Sequence, residues 1–223
     1  MNVFVFDLMP YAEHLDHLRV GKELPWPLDK RFFNPQVAVR TYAEHLDAWE
    51  ELDRLGYDGV GFNEHHTSPY GLMNSPNLLA AAATQRTKRL KFLILGNLLP
   101  IHNPLRIAEE IAMADCMSRG RILSGFARGV PREYRVYDVP MAESRARFDE
   151  ALSVVLRGLS SDTLDFSGQY YQYKNVPMAL GPCQLPCPPL WYPTHNPAKM
   201  EYAAKHGFNF VGLGPVPALR AAT

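Results

Sequence analysis

The sequence predicts a parallel α/β fold of the (β/α)8 TIM-barrel type, and three observations carry that reading. Short apolar runs alternate with helical patterns along the chain, and parallel strands need such crossovers between them. No glycine-rich phosphate loop follows the first apolar run, as an open dinucleotide-binding sheet would require. Titratable and polar residues instead follow several runs: Glu64, His65 and His66 after the second, Asn97 after the third, Arg128 after the fourth. Barrel enzymes gather their chemistry from many strand ends at one face.

Each element has its own local warrant. Val3–Leu8 is a short buried-strand pattern. Residues 11–34 form a long insertion with several aromatic side chains, suited to a lid or pocket wall. Apolar residues at Val39, Tyr42, Ala43, Leu46, Trp49 and Leu52 have helical spacing, which predicts a helix over 37–55 stopped by Gly56. Gly59–Phe62 is the second strand. Ser75 then caps a helix with Pro76 in its first turn. Leu90–Leu95 is the third strand, and Asn103-Pro104 opens a helix to about Ser118. Residues 121–127 read as the fourth strand and 143–159 as a helix. A second insertion, 160–187, contains an alternating hairpin pattern with Phe166, Tyr170, Tyr171 and Tyr173, which either walls a pocket or covers helix ends. Pro189–Pro193, a helix over 197–206 and Phe208–Leu213 complete six strand–helix units.

These units predict one domain over residues 1–223. A complete barrel takes about 250 residues, so the expectation is a barrel truncated after about six units, without strands seven and eight. Open sheet edges invite association, which predicts a homo-oligomer. Lys plus Arg equals Asp plus Glu at 23 each, so no global field favours nucleic acid or an anionic membrane. No apolar run is long enough to span a bilayer, and no basic, cleavable leader opens the chain. Three cysteines without framework spacing predict reduced thiols and a cytoplasmic protein. Cys183 and Cys187 have the spacing of half a zinc site, but no second pair follows.

Residues 61–66, Gly-Phe-Asn-Glu-His-His, hold the densest titratable chemistry in the chain. The residues alone allow a metal site, a general base or a hydrogen-bond donor. A metal-dependent hydrolase would use Glu64, His65 and His66 as ligands, yet adjacent imidazoles on extended backbone point opposite ways. The structural alternative for His65 is an imidazole at the core rim bonded to Glu64. His14 and His17 lack a third ligand and read as a solvated turn.

Five segments in one order resemble bacterial luciferase and the flavin-dependent monooxygenases related to it. They are Asn63-Glu64-His65-His66 with 71–76, Leu99–Arg106, Ser118–Arg121, Gly125–Gly129, and Ser144-Arg145. The resemblance implies a barrel that binds reduced FMN, supplied by a separate reductase, and uses dioxygen to oxygenate a small, apolar organic substrate. Deazaflavin F420 is the alternative cofactor, and a non-catalytic flavin-binding fragment is the alternative function. His65 matches the family's catalytic histidine, with Glu64 and His66 beside it in support. Arg128 and Arg145 match positions that face the flavin phosphate, a role suited to the guanidinium fork. Leu95-Gly96 matches a position where a cis peptide lies against the flavin ring. The loop 194–198 matches a further phosphate contact, where His195 and Asn196 can donate at a helix N-terminus. Ala127 stands where luciferase has a reactive cysteine, which implies oxygenation without light emission.

Overall fold

Six parallel strands form one curled sheet in the computed structural model, which describes residues 1–11, 15–21, 27–194 and 196–212. In chain order the strands are β1 (Phe4–Asp7), β2 (Gly59–Phe62), β3 (Lys91–Leu98), β4 (Ile122–Ala127), β5 (Thr163–Ser167), β6 (Gln172–Pro177), β7 (Leu190–Pro193) and β8 (Asn209–Val211). The sheet runs β1-β2-β3-β4-β7-β8, and β5 pairs antiparallel with β6 as a separate hairpin. The helices are α1 (Pro35–Leu55), α2 (Pro76–Thr84), α3 (Pro104–Ser118), α4 (Pro131–Val136), α5 (Ser144–Ser160) and α6 (Pro197–Lys205).

Caps fix where the crossovers begin. Asn34 accepts from Gln36 N–H at 2.9 Å and Asn103 from Leu105 N–H at 3.0 Å, each with proline in the first turn. Ser75 does the same for α2 through Leu78 N–H. Gly56, at φ 87°, ends α1 in the left-handed conformation that glycine adopts without strain.

The helix-facing side of the sheet carries the core. Val60, Phe62, Phe92 and Ile94 pack with Trp49 of α1 and Ala80 of α2. Phe126 and Tyr192 pack with Ile107 and Ile111 of α3 and with Phe148 and Val155 of α5. Each fully buried side chain of this size contributes about 1.5–3 kcal/mol. On the opposite face β3 and β4 approach closely at two glycines. A Cβ on Gly96 would stand 2.8 Å from the Gly125 carbonyl, and one on Gly125 only 2.0 Å from the Ile94 carbonyl.

The predicted elements are present with shifted ends. α1 starts at Pro35, because Asn34 caps it; β3 runs three residues further, to Leu98. The last strand covers Asn209–Val211 only, and Leu213 lies outside the described residues. Six-residue α4 is too short to leave a periodic signal. The hairpin covers helix ends: Tyr173 donates to Asn103 at 3.2 Å, Tyr171 packs on the α3–α5 core, and Glu150 accepts from Gln169 and Tyr170 N–H. Among the described residues, β1 and β8 end the sheet and no helix is long and apolar enough to cross a membrane.

Candidate active site

Glu64 leaves the end of β2 pointing into the protein, 3% exposed. Its Oε1 accepts from His66 Nε2–H at 2.7 Å and from His102 Nε2–H, while its Oε2 accepts from Leu98 N–H at 3.0 Å. The Tyr137 hydroxyl lies 2.9 Å from His66 Nδ1, so both ring nitrogens of His66 have a partner. Burial alone would raise the Glu64 pKa; the bonds from His102 and His66 outweigh it and hold the carboxyl below its ordinary value. Burial likewise opposes protonation of His102, and its bond to Glu64 overcomes that and raises its pKa.

His65 turns the other way, as alternation on extended backbone requires. Its Nδ1 lies 3.0 Å from Glu133 Oε1, and Tyr70 packs against the ring with centroids 5.0 Å apart. Glu133 is itself buried, and its second oxygen accepts from Val130 N–H at 2.8 Å. The ring is partly exposed, and among the described residues no partner bonds its Nε2. His65, Tyr70, Val130 and Pro131 line a cavity of about 350 Å³. A second cavity of about 320 Å³ adjoins it at Ser68 and is lined by Tyr11, Leu28, Phe33 and Leu72, so the first insertion does form a pocket wall.

The metal-ligand set Glu64, His65 and His66 is therefore not assembled. The donor atoms that converge within 4.8 Å belong to Glu64, His66 and His102, and His65 is committed to Glu133. Asn97 also points away from His65: its Oδ1 accepts from Asn77 of α2 at 2.8 Å.

At the end of β3 the Leu95–Gly96 peptide is cis, as the resemblance implies. Past β4, Arg128 is half-buried, and among the described residues no carboxylate bonds its guanidinium. Tyr134 holds its carbonyl. Arg145, in the first turn of α5, bonds Asp149 at 2.8 Å and lies 5.3 Å above the Tyr202 ring. Lys199 of α6 completes the group: burial, then the charges of Arg128 and Arg145, lower its pKa. Thr194 Oγ1 accepts from Asn196 N–H at 3.1 Å at the start of α6. His195 lies outside the described residues. Trp191 faces away from the Tyr192–Phe148 contact, and among the described residues its buried indole N–H has no partner.

Sequence reasoning singled out neither Glu133, Tyr137, His102 nor Lys199 as site residues. Glu133 carried a signal, since an acid two residues past Pro131 sits where a helix-capping carboxylate belongs. His102 lay inside a recognised segment without a role. Tyr137 and Lys199 carried none, because only the sheet's curvature brings them to the site.

Residues 25–222 match the family model described as luciferase-like monooxygenase. The chain is 36% identical over 186 residues to uncharacterized protein y4wF of Sinorhizobium fredii, covering 83% of this chain and 54% of the relative. Monooxygenase RslO1 from Streptomyces bottropensis superposes over all of this chain and 63% of its own, with TM-score 0.83 and 28% identity. The oxygenating constituent of 3,6-diketocamphane monooxygenase from Pseudomonas putida, in complex with FMN, shares the fold at TM-score 0.79 and 19% identity, over all of this chain and 60% of its own. The chain spans about half the length of the curated relatives it matches.

Proposed function

The chain belongs to the luciferase-like monooxygenase family, and from that premise we propose that it serves as the oxygenase component of a two-component flavin monooxygenase. A separate reductase supplies reduced FMN, dioxygen is the co-substrate, and the organic substrate is small and apolar. The observation that carries this reading is the group of Arg128, Arg145 and Lys199, three cations with Asp149 beside them, on the same sheet rim as the His65–Glu133 pair. Three cations with one half-buried carboxylate among them fit a phosphate dianion. The Trp191 N–H, unpartnered among the described residues, also fits a polar group beside the sheet.

Reduced FMN, when bound, supplies the electrons that let dioxygen give one atom to the substrate and the other to water. The protein's own part is narrower. Arg128, Arg145, Lys199 and the N-terminus of α6 hold the phosphate. His65 holds or moves a proton at Nε2, and buried Glu133 fixes its tautomer and orientation. Glu64, His66 and His102 are positioning residues that tie the β2 loop to the end of β3. The cavity lined by Tyr11, Leu28, Phe33 and Leu72 supports an apolar substrate.

Self-association is supported by an apolar groove of about 280 Å³ on α2 and α3, where Leu78 is 72% and Met113 49% exposed. Three free cysteines support a cytoplasmic compartment. The reading is tested with a flavin reductase, dioxygen and a panel of small apolar aldehydes, ketones and alkenes. Oxygenated product should form above the free-flavin background and fall on the order of a hundredfold in His65→Asn. Product no higher than free reduced FMN gives, with FMN still bound, would leave a non-catalytic flavin-binding protein.

A further inference from the structure

The loop between β6 and β7 is pinned to the last turns of α3. Gln184 donates from its backbone N–H and its amide to the Asp115 carboxylate at 2.9 and 2.7 Å, and again to the Ile122 carbonyl at 2.8 Å. Asp115 is fully buried, so this anchor is well set. It brings the neighbouring residues on both segments together. The Cys116 thiol donates to the Gly181 carbonyl at 3.4 Å, and with Gln184 bonded to Asp115 the intervening Cys183 is held beside Cys116. Cys183 is exposed and Cys116 partly so; Cys187 packs against the α3–α5 core instead.

We propose that Cys116 and Cys183 form an oxidation site, a thiol pair that a hydroperoxide converts into an intramolecular disulfide. The exposed Cys183 sulfur, as thiolate, attacks the peroxide O–O bond; one oxygen leaves as alcohol or water after taking up a proton, and a sulfenic acid remains. Cys116 then attacks that sulfur, forming the S–S bond and expelling water. Two thiols and one hydroperoxide give one disulfide, one alcohol (or water) and one water; two electrons pass from the sulfurs to the peroxide oxygens. Burial, with Cys183 and the Asp115 charge beside it, raises the Cys116 pKa and disfavours it as the first attacking thiolate. Disulfides of this kind in a reducing compartment are characteristically redox-sensing. The cross-link would staple the β6–β7 loop to α3 and restrict the unfolded chain, so it should stabilise the fold.

The test treats the full chain with hydrogen peroxide and maps the products. Free thiols should fall from three to one, the intact mass should drop by two hydrogens, and a peptide containing Cys116 should be joined to one containing Cys183. The melting temperature should rise by several degrees, and dithiothreitol should reverse every change. Cys187→Ser should keep the cross-link, whereas Cys183→Ser should lose it. A Cys183–Cys187 link, a disulfide between chains, or three intact thiols after peroxide would overturn the proposal; each is read on the wild-type chain, whatever the variants do.

Discussion

At the ends of β2 and β3, the Glu64 carboxylate is enclosed by two imidazoles and a backbone N–H, with both oxygens satisfied. Beyond β4 and β7, the charges of Arg128 and Arg145 act on Lys199, and among the described residues Asp149 is the one carboxylate bonded to the group. The first region is closed: its charges are neutralised inside the protein, so it contributes to stability and to holding a loop. The second is open, since like charges held together cost the fold some repulsion that an anion would relieve. A fully paired cluster speaks of structure, and a cationic one with more charges than partners speaks of a ligand. His65 belongs to neither region: one ring nitrogen meets Glu133, and the other has no partner among the described residues.

Breaking the closed region should affect the fold most. Glu64→Ala leaves the buried His66 imidazole, the partly exposed His102 imidazole and the Leu98 N–H without their acceptor, at an expected cost of about 3–5 kcal/mol, read as a lowered denaturant midpoint. Glu133→Gln probes the boundary. It should leave the fold intact but lower kcat on the order of tenfold with KM little changed, because the amide no longer holds His65 in one tautomer. Equal loss of stability would instead make Glu133 a purely structural residue.

The smallest effect is on the pH profile. Glu64 is held below its ordinary pKa of 4.5, against burial, by its histidine bonds, so its contribution is present above 4.5 and lost as the pH falls through the lowered folded value. His102 is held above its ordinary 6.5, against burial, by Glu64, so its contribution is complete below 6.5 and lost as the pH rises through the raised folded value. Thermal melts should therefore show the wild type's advantage over His102→Gln shrinking as the pH is raised past 6.5. A constant advantage at all pH values would contradict an ionic Glu64–His102 pair.

Much of this arrangement was legible in the chain. Strand–helix alternation carried the sheet, and Asn34, Ser75 and Asn103 before prolines carried three helix starts. Alternation along extended backbone also implied that His65 and His66 diverge. What it does not hold is the identity of their partners. Glu133, His102, Tyr137 and Lys199 come from three other crossovers, and no local pattern says which imidazole meets which carboxylate. The third strand was read short because Gly96-Asn97 breaks the apolar run, while its backbone pairing with β4 continues to Leu98.

The central claim is that the open region awaits a flavin phosphate, and anaerobic titration with reduced FMN tests it most directly. Wild type should bind saturably, and Arg128→Ala, equally stable, should lose about 1.5–3 kcal/mol of affinity, at least tenfold in Kd. Riboflavin, which lacks the phosphate, should bind the two proteins alike and weakly. No binding of reduced FMN, tighter binding of F420, or equal FMN affinity with and without Arg128 would contradict the account.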